Sequence, residues 1–105
     1  PDVLIPSRKH YLDPEWPTDR LFVLGLKTTC KDRWRQVLKE APRVPQKHIL
    51  TLQKGISSNQ LVEMEKANVV LIVPKELHHE YPPQFRDGLN SFEHFLSGVR
   101  TTLSI

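Results

Sequence analysis

A chain of 105 residues with 38% hydrophobic and 26% charged side chains can form one modest core, so we expect a single folding unit over residues 1–105. No apolar run approaches the roughly 18 to 20 residues of a membrane-spanning helix, and the single cysteine excludes an intramolecular disulfide. No leader is recognisable either, which favours an intracellular protein. The net charge of +3 is too small to identify a partner by itself. Because the first residue is Pro rather than Met, we expect a partial domain that lacks upstream elements.

The first half of the chain is predicted to hold an irregular segment, a strand and a helix. Three prolines stand among polar residues over 6–18 and indicate irregular structure there. The apolar run over 21–26 is typical of a central strand that is buried on both faces. A helix is predicted over 31–41, where Pro42 stops it. Four apolar residues of this helix are expected to face the core: Trp34, Val37, Leu38 and Ala41.

The second half continues the alternation of strands and helices. A strand is predicted over 48–52, a helix from Ser57 or Ser58 to about Lys66, and a third strand over 69–73. A final helix begins at Ser91. The order strand, helix, strand, helix, strand is typical of parallel strands joined by right-handed crossovers, which is an α/β fold.

Positive charge is concentrated between Lys27 and His48. This stretch has seven Lys and Arg residues against two acidic residues, a local charge of +5, so the rest of the chain carries −2. Localised positive charge favours a polyanion such as DNA, because neutralising phosphates releases counterions. A solvated helix face would explain the same charges equally well.

A helical wheel separates the polar residues of the predicted helix over 31–41. At about 100° per residue, Arg33, Gln36 and Glu40 form one polar flank, and Arg35 and Lys39 lie on the other. Arg33 and Glu40 are then about 10 Å apart along the axis. One helix could therefore carry both a base-reading group and a group near the scissile bond.

Lys27 stands where the first predicted strand ends, and α/β proteins tend to bind ligands at such ends. Gly25, its neighbour on the same face, is expected to leave space beside it. The alternative for Lys27 is a plain solvent-exposed lysine without a role in binding. Phosphodiester hydrolysis uses carboxylates to hold Mg²⁺ beside a basic residue, and Asp2, Lys27 and Glu40 are candidates for these roles. Rival acids precede the same strand: Asp13, Glu15 and Asp19.

A longer pattern narrows these alternatives. The stretch LKTTCKDRWRQVL over 26–38, followed by Glu40 and Ala41, resembles the catalytic-domain signature of the EcoRII-type restriction endonucleases. The likeness extends over most of the chain, through further segments at 50–53, 55–57, 71–74, 77–78 and 81–82. These enzymes belong to the PD-(D/E)XK nucleases. The resemblance therefore implies a restriction-endonuclease-like α/β core in which helices flank a central mixed sheet.

The resemblance also implies roles for the site residues. The position two before Lys27, where the standard motif has an acid, is Gly25, which fits the variant whose second carboxylate has moved to the following helix. By this resemblance Asp2 and Glu40 bind Mg²⁺ and Lys27 is the catalytic lysine. Relatives have a further acidic residue in a region that would precede Pro1, so we expect this chain to be inactive alone.

For DNA, the resemblance assigns Lys31, Asp32 and Arg33 to reading the CC and GG dinucleotides of the site, which agrees with the hydrogen-bonding edges of guanine and cytosine. It implies a type II enzyme that cuts double-stranded DNA at CCWGG or CCNGG sites as a homodimer in a prokaryotic cytoplasm. A cognate DNA methyltransferase would act on the same site without having to bind the enzyme. The alternative is a DNA-binding protein of the same fold that no longer cuts.

Overall fold

The computed structural model describes residues 2–30 and 33–104. Within these ranges one mixed sheet has the strand order β1-β2-β3-β4, in which β1 is antiparallel to β2 and the other neighbours are parallel. The strands are β1 Val3–Ile5, β2 Phe22–Lys27, β3 Lys47–Thr51 and β4 Val69–Ile72. The expected mixed α/β sheet is confirmed.

Helices pack against both faces of this sheet. The α-helices are α1 Arg8–Leu12, α2 Ser58–Lys66 and α3 Phe92–Leu103, and 3₁₀ helices span Thr18–Arg20, Arg33–Lys39, Lys75–Glu80 and Pro83–Gly88. The hydroxyls of Ser57 and Ser91 accept hydrogen bonds from the backbone N–H groups of Gln60 and His94, so both predicted helix starts are N-caps. No helix in the described ranges has the length and apolar character needed to cross a bilayer.

The pairing register decides which side chains share a face. Gly25 pairs with Ile49 and Lys27 pairs with Thr51. Because side chains alternate along a strand, these residues lie on the face that the segment over 33–44 covers. The opposite face carries α3, whose buried Phe95 and Val99 pack with strand residues such as Leu24 and Ile72.

The predicted α-helix over 31–41 is wrong in type and length, because the described part of this segment is a 3₁₀ helix over Arg33–Lys39. A 3₁₀ helix has three residues per turn, which aligns Trp34 with Val37, and both are buried. Leu38, expected in the core, is turned away and 38% exposed. Glu40 follows the last residue of this helix, so the α-helical wheel that placed it on one flank with Arg33 does not apply. The prediction that they share a flank of one α-helix is therefore wrong.

The segment over 6–18 is less irregular than its prolines suggest. It contains α1, which begins after the N-cap Ser7, and it is preceded by β1, which the sequence pattern did not predict. A strand of three residues is too short to show alternation, so only its pairing with β2 identifies it.

Candidate active site

Lys27 is the last residue of β2 and is half-buried at the carboxyl end of the parallel strands. Burial raises the pKa of the neighbouring Cys30 thiol to about 11, and the positive charge of Lys27 offsets part of this rise. The thiol therefore keeps its proton at neutral pH and does not act as a nucleophile. Lys27 is the basic group at this edge of the sheet.

The sequence suggested that Gly25 leaves open space beside Lys27, but other side chains lie close to this position. A Cβ at this position would lie 3.4 Å from Val37 Cγ2 and 3.9 Å from Ile49 Cγ1. The absence of a side chain lets the 3₁₀ helix Arg33–Lys39 pack directly on the sheet. These distances are ordinary van der Waals contacts, so Val37 and Ile49 close over the strand at residue 25.

Asp2 lies beside the same strand end. Val3 pairs with Leu24, and the next step of this antiparallel register places Asp2 opposite Gly25, on the face of Lys27. The Asp2 carboxylate accepts a hydrogen bond of 2.7 Å from the backbone N–H of Leu26. A carboxylate has further acceptor positions, so this bond orients the group without using its whole capacity.

Glu40 comes directly after the 3₁₀ helix Arg33–Lys39. Its successor Ala41 has a positive φ of 46°. Ala41 also lines the same cleft as Asp2. Lys47, which is 3% exposed, donates from Nζ to the carbonyls of Ala41, at 3.0 Å, and Val44. Burial lowers the pKa of Lys47, and the negative charge of Glu40 partly opposes that effect. Lys47 thus supports the turn that follows Glu40.

The rival acids are at the wrong end of β2. Asp19 belongs to the 3₁₀ helix Thr18–Arg20, which precedes the strand, and Asp13 and Glu15 come earlier still. Five residue steps from Phe22 to Lys27 correspond to about 16 Å at 3.3 Å per step. The strand therefore separates these acids from Lys27. Asp2 directly precedes β1, which runs antiparallel to β2, so it lies near the carboxyl end of β2.

Arg33 begins the 3₁₀ helix, and its side chain is exposed. Its backbone N–H donates to the Cys30 carbonyl at 2.8 Å. The other two predicted base-reading residues, Lys31 and Asp32, lie outside the described residues. The guanidinium of Arg33 is available on the surface near the carboxyl end of the sheet.

Two basic residues of the cationic stretch are structural, which their sequence context did not reveal. Lys47 is buried. Arg43 donates to the carbonyls of Tyr11, Asp13 and Trp16 and to Thr18 Oγ1. The charge of +5 inferred from sequence therefore overstates what this stretch presents to a polyanion.

The donor set of the site is sparse. Over 2–30 and 33–104, no group of three or more His, Cys, Asp or Glu side chains is arranged to hold a metal ion. Of the two predicted ligands, Asp2 shares the strand face of Lys27, and Glu40 directly precedes Ala41, which lines a cleft with Asp2. Two carboxylates are hard oxygen donors and suit Mg²⁺, which keeps several of its waters when it binds a protein.

Comparison with protein families identifies the family of the chain. The family model described as EcoRII C terminal matches residues 1–96. The chain belongs to the EcoRII C-terminal family. The resemblance seen in its sequence is thereby confirmed.

Among members of this family, the type II restriction enzyme EcoRII of Escherichia coli is 46% identical over 97 residues, which cover 92% of this chain. The chain spans 24% of that enzyme's length.

Solved structures agree on the fold. Metal-depleted Ecl18kI in complex with uncleaved, modified DNA matches with a TM-score of 0.77 and 21% identity, covering 94% of this chain and 33% of that one. A second complex of metal-depleted Ecl18kI, with uncleaved DNA, gives a TM-score of 0.76 and 22% identity at the same coverage. The restriction-endonuclease fold expected from the sequence is thus confirmed.

Proposed function

We propose that this chain is the catalytic domain of a Mg²⁺-dependent type II restriction endonuclease that cuts double-stranded DNA where CC and GG flank a central base or base pair, as in CCWGG or CCNGG. Membership of the EcoRII C-terminal family supports the reaction class. The observation that supports the proposal is that Asp2 and Lys27 share one face at the carboxyl end of β2, while Ala41, the residue after Glu40, lines a cleft with Asp2.

Asp2 and Glu40 would hold the Mg²⁺ ion. When bound, the ion supplies an activated water and offsets negative charge on the phosphate oxygens. Asp2 is suited to this role because the Leu26 N–H fixes one carboxylate oxygen at 2.7 Å. Glu40 is suited because Lys47 supports the turn directly after it.

Lys27 would act on the phosphate. Lys27 is half-buried at the strand end, from where its ammonium would donate to a phosphate oxygen or orient the attacking water. Thr51, its partner in β3, is 1% exposed, so the floor beneath the lysine is closed to solvent. Where water is excluded on one side, solvent screens the positive charge of the lysine less. Its attraction to the negative charge that develops in the transition state is then stronger.

Arg33, Lys31 and Asp32 would read the site. Arginine or lysine can donate to guanine O6 and N7, and a carboxylate can accept from cytosine N4 in the major groove. The exposure of Arg33 on the side of the strand ends suits this task. The similar Ecl18kI fold is found in complexes with DNA, which supports DNA as the partner.

We also propose a homodimer, because two active sites are needed to cut two strands of a pseudo-palindromic site. Such an enzyme would work in a prokaryotic cytoplasm. A DNA methyltransferase that protects the same site would be its genetic companion without being a binding partner.

A plasmid assay tests the proposal. The full-length protein is incubated with plasmids that carry or lack CC/GG-flanked sites, in Mg²⁺ for cleavage and in Ca²⁺ for gel retardation. We expect discrete fragments only with sites and Mg²⁺. Retardation in Ca²⁺ without any cutting in Mg²⁺ would favour the non-cutting DNA-binding protein. If the protein neither cut nor retarded the plasmid, both functions would be refuted.

A further inference from the structure

Arg33 lies between two residues whose positions are set by distant glutamines. The backbone N–H of Cys30 donates to Gln53 Oε1 at 2.5 Å, and the indole N–H of Trp34 donates to Gln60 Oε1 at 2.6 Å. Cys30 and Trp34 are 0% and 1% exposed, so neither can shift without disturbing the core. Each glutamine therefore anchors one flank of the exposed Arg33.

Gln53 is itself held firmly after β3. Its Nε2 donates to the Gly55 carbonyl at 3.0 Å, and its own carbonyl accepts from the hydroxyl of the buried Tyr81 at 2.7 Å. Gly55 has a φ of +108°, and a Cβ there would lie 2.9 Å from the Glu80 carbonyl oxygen. Only glycine fits this turn, which leaves the Gln53 amide one geometry toward Cys30.

Gln60 presents its oxygen from a rigid helix. It lies in the first turn of α2, where the Ser57 hydroxyl accepts a hydrogen bond from its backbone N–H. The next residue, Leu61, and Met64 one turn on are buried in the core. The helix therefore fixes the point to which the Trp34 indole is bound.

We propose that Gln53 and Gln60 are positioning residues for base reading. By holding Cys30 and Trp34, they set the position of the Arg33 guanidinium relative to the carboxyl end of the strands, where the proposed cleavage site lies. This inference rests on the proposed DNA-cleaving function. A bidentate contact from arginine to guanine needs placement within about 0.5 Å, which an exposed side chain obtains only from a well-held backbone. Neither glutamine needs to touch DNA.

The Gln60 variants separate this role from general stability. Gln60→Met removes the acceptor at similar volume, whereas Gln60→Glu keeps an acceptor oxygen and suits the first turn of a helix. Gln84→Met, at an exposed position in the 3₁₀ helix Pro83–Gly88, is the matched control. The dissociation constants of the full-length protein are measured in Ca²⁺ on a CC/GG-flanked duplex and on a random duplex, over a range of salt.

For Gln60→Met we expect the ratio of specific to random affinity to fall about tenfold, which corresponds to a partly lost base contact. The slope of log affinity against log salt should stay unchanged, because no phosphate contact is removed. Gln60→Glu and Gln84→Met should keep the wild-type ratio. Gln53→Met should lose discrimination as Gln60→Met does, and if it fails to fold, the Gln60 pair decides alone.

An unchanged ratio in Gln60→Met would overturn the inference, as would equal weakening on both duplexes. Failure of Gln60→Glu to restore discrimination would also count against it. If the wild-type protein bound both duplexes equally, the proposed function itself would fail, and the inference with it. Loss confined to the methionine variants supports the positioning role.

Discussion

Replacing Arg43 by lysine should destabilise the fold while leaving the charge intact. The Arg43 guanidinium donates to the carbonyls of Tyr11, at 2.5 Å, and Asp13, at 2.9 Å, and also to the carbonyl of Trp16. A fourth bond, of 3.1 Å, goes to Thr18 Oγ1. These bonds tie the segment between α1 and β2 to the turn that follows Glu40. A lysine has one nitrogen on a flexible stem and cannot span these acceptors.

The magnitude follows from the bonds that lysine cannot replace. Hydrogen bonds to charged groups contribute about 1.5 to 3 kcal/mol each, and the lower figure suits a side chain that is only half-buried. If lysine keeps two of the bonds, the loss of the other two costs about 3 kcal/mol. For a domain of this size that is a fall of roughly 12 to 24 °C in Tm.

Urea unfolding followed by tryptophan fluorescence measures this loss, since Trp16 belongs to the clamped segment. Arg35→Lys is the matched control from the same cationic stretch. Its ion pair with Glu63 is 3.8 Å long with both side chains at least half exposed, so we expect a change below about 1 kcal/mol. An Arg43→Lys variant within about 0.5 kcal/mol of wild type would refute the clamp.

The remaining predictions concern the site and alkaline stability. Lys27→Ala should abolish cleavage and keep site-specific binding; a variant that cuts at the normal rate would remove Lys27 from the mechanism. Glu40→Gln should weaken Mg²⁺-dependent turnover, which a titration of cleavage rate against Mg²⁺ measures, and an unchanged requirement would count against Glu40 as a ligand. Arg33→Ala should cost about 1 to 3 kcal/mol of discrimination at one guanine, whereas equal losses on specific and random DNA would make it a phosphate contact. Folding raises the pKa of Cys30 from 9.0 to about 11 and that of Tyr81 from 10.0 to about 12, in both cases mainly by burial. The folded state therefore binds more protons above about pH 9, and its free energy of unfolding should fall as the pH rises from there, by up to about 3 kcal/mol for Cys30. Urea unfolding at about pH 8 and about pH 10.5 checks this, and a Cys30→Ala variant with the same alkaline loss would contradict the assignment.

The sequence predicted β2, β3, β4 and two helix caps well, because these depend on neighbouring residues, but it missed β1. The runs over 21–26, 48–52 and 69–73 became β2, β3 and β4 with shifts of one residue at their ends. Ser57 and Ser91 cap α2 and α3 through bonds within one turn. The α-helix predicted after Cys30 was wrong. The apolar spacing of this segment fits an α-helix, but close packing of Val37 over Gly25 accompanies a 3₁₀ helix instead.

By itself, the sequence determined the family, through its extended motif, and with it the set of residues to consider. Only the tertiary structure placed Asp2 beside the strand that ends in Lys27. Asp2 is 24 residues from Leu26 along the chain, and an antiparallel strand of three residues brings them within a hydrogen bond. The fold also decided which cationic side chains face solvent. In the sequence Arg43 and Lys47 are basic residues like Arg33, but in the structure their side chains donate to backbone carbonyls. Strand register and burial depend on contacts between residues that are distant in sequence. Local sequence patterns therefore do not predict those contacts.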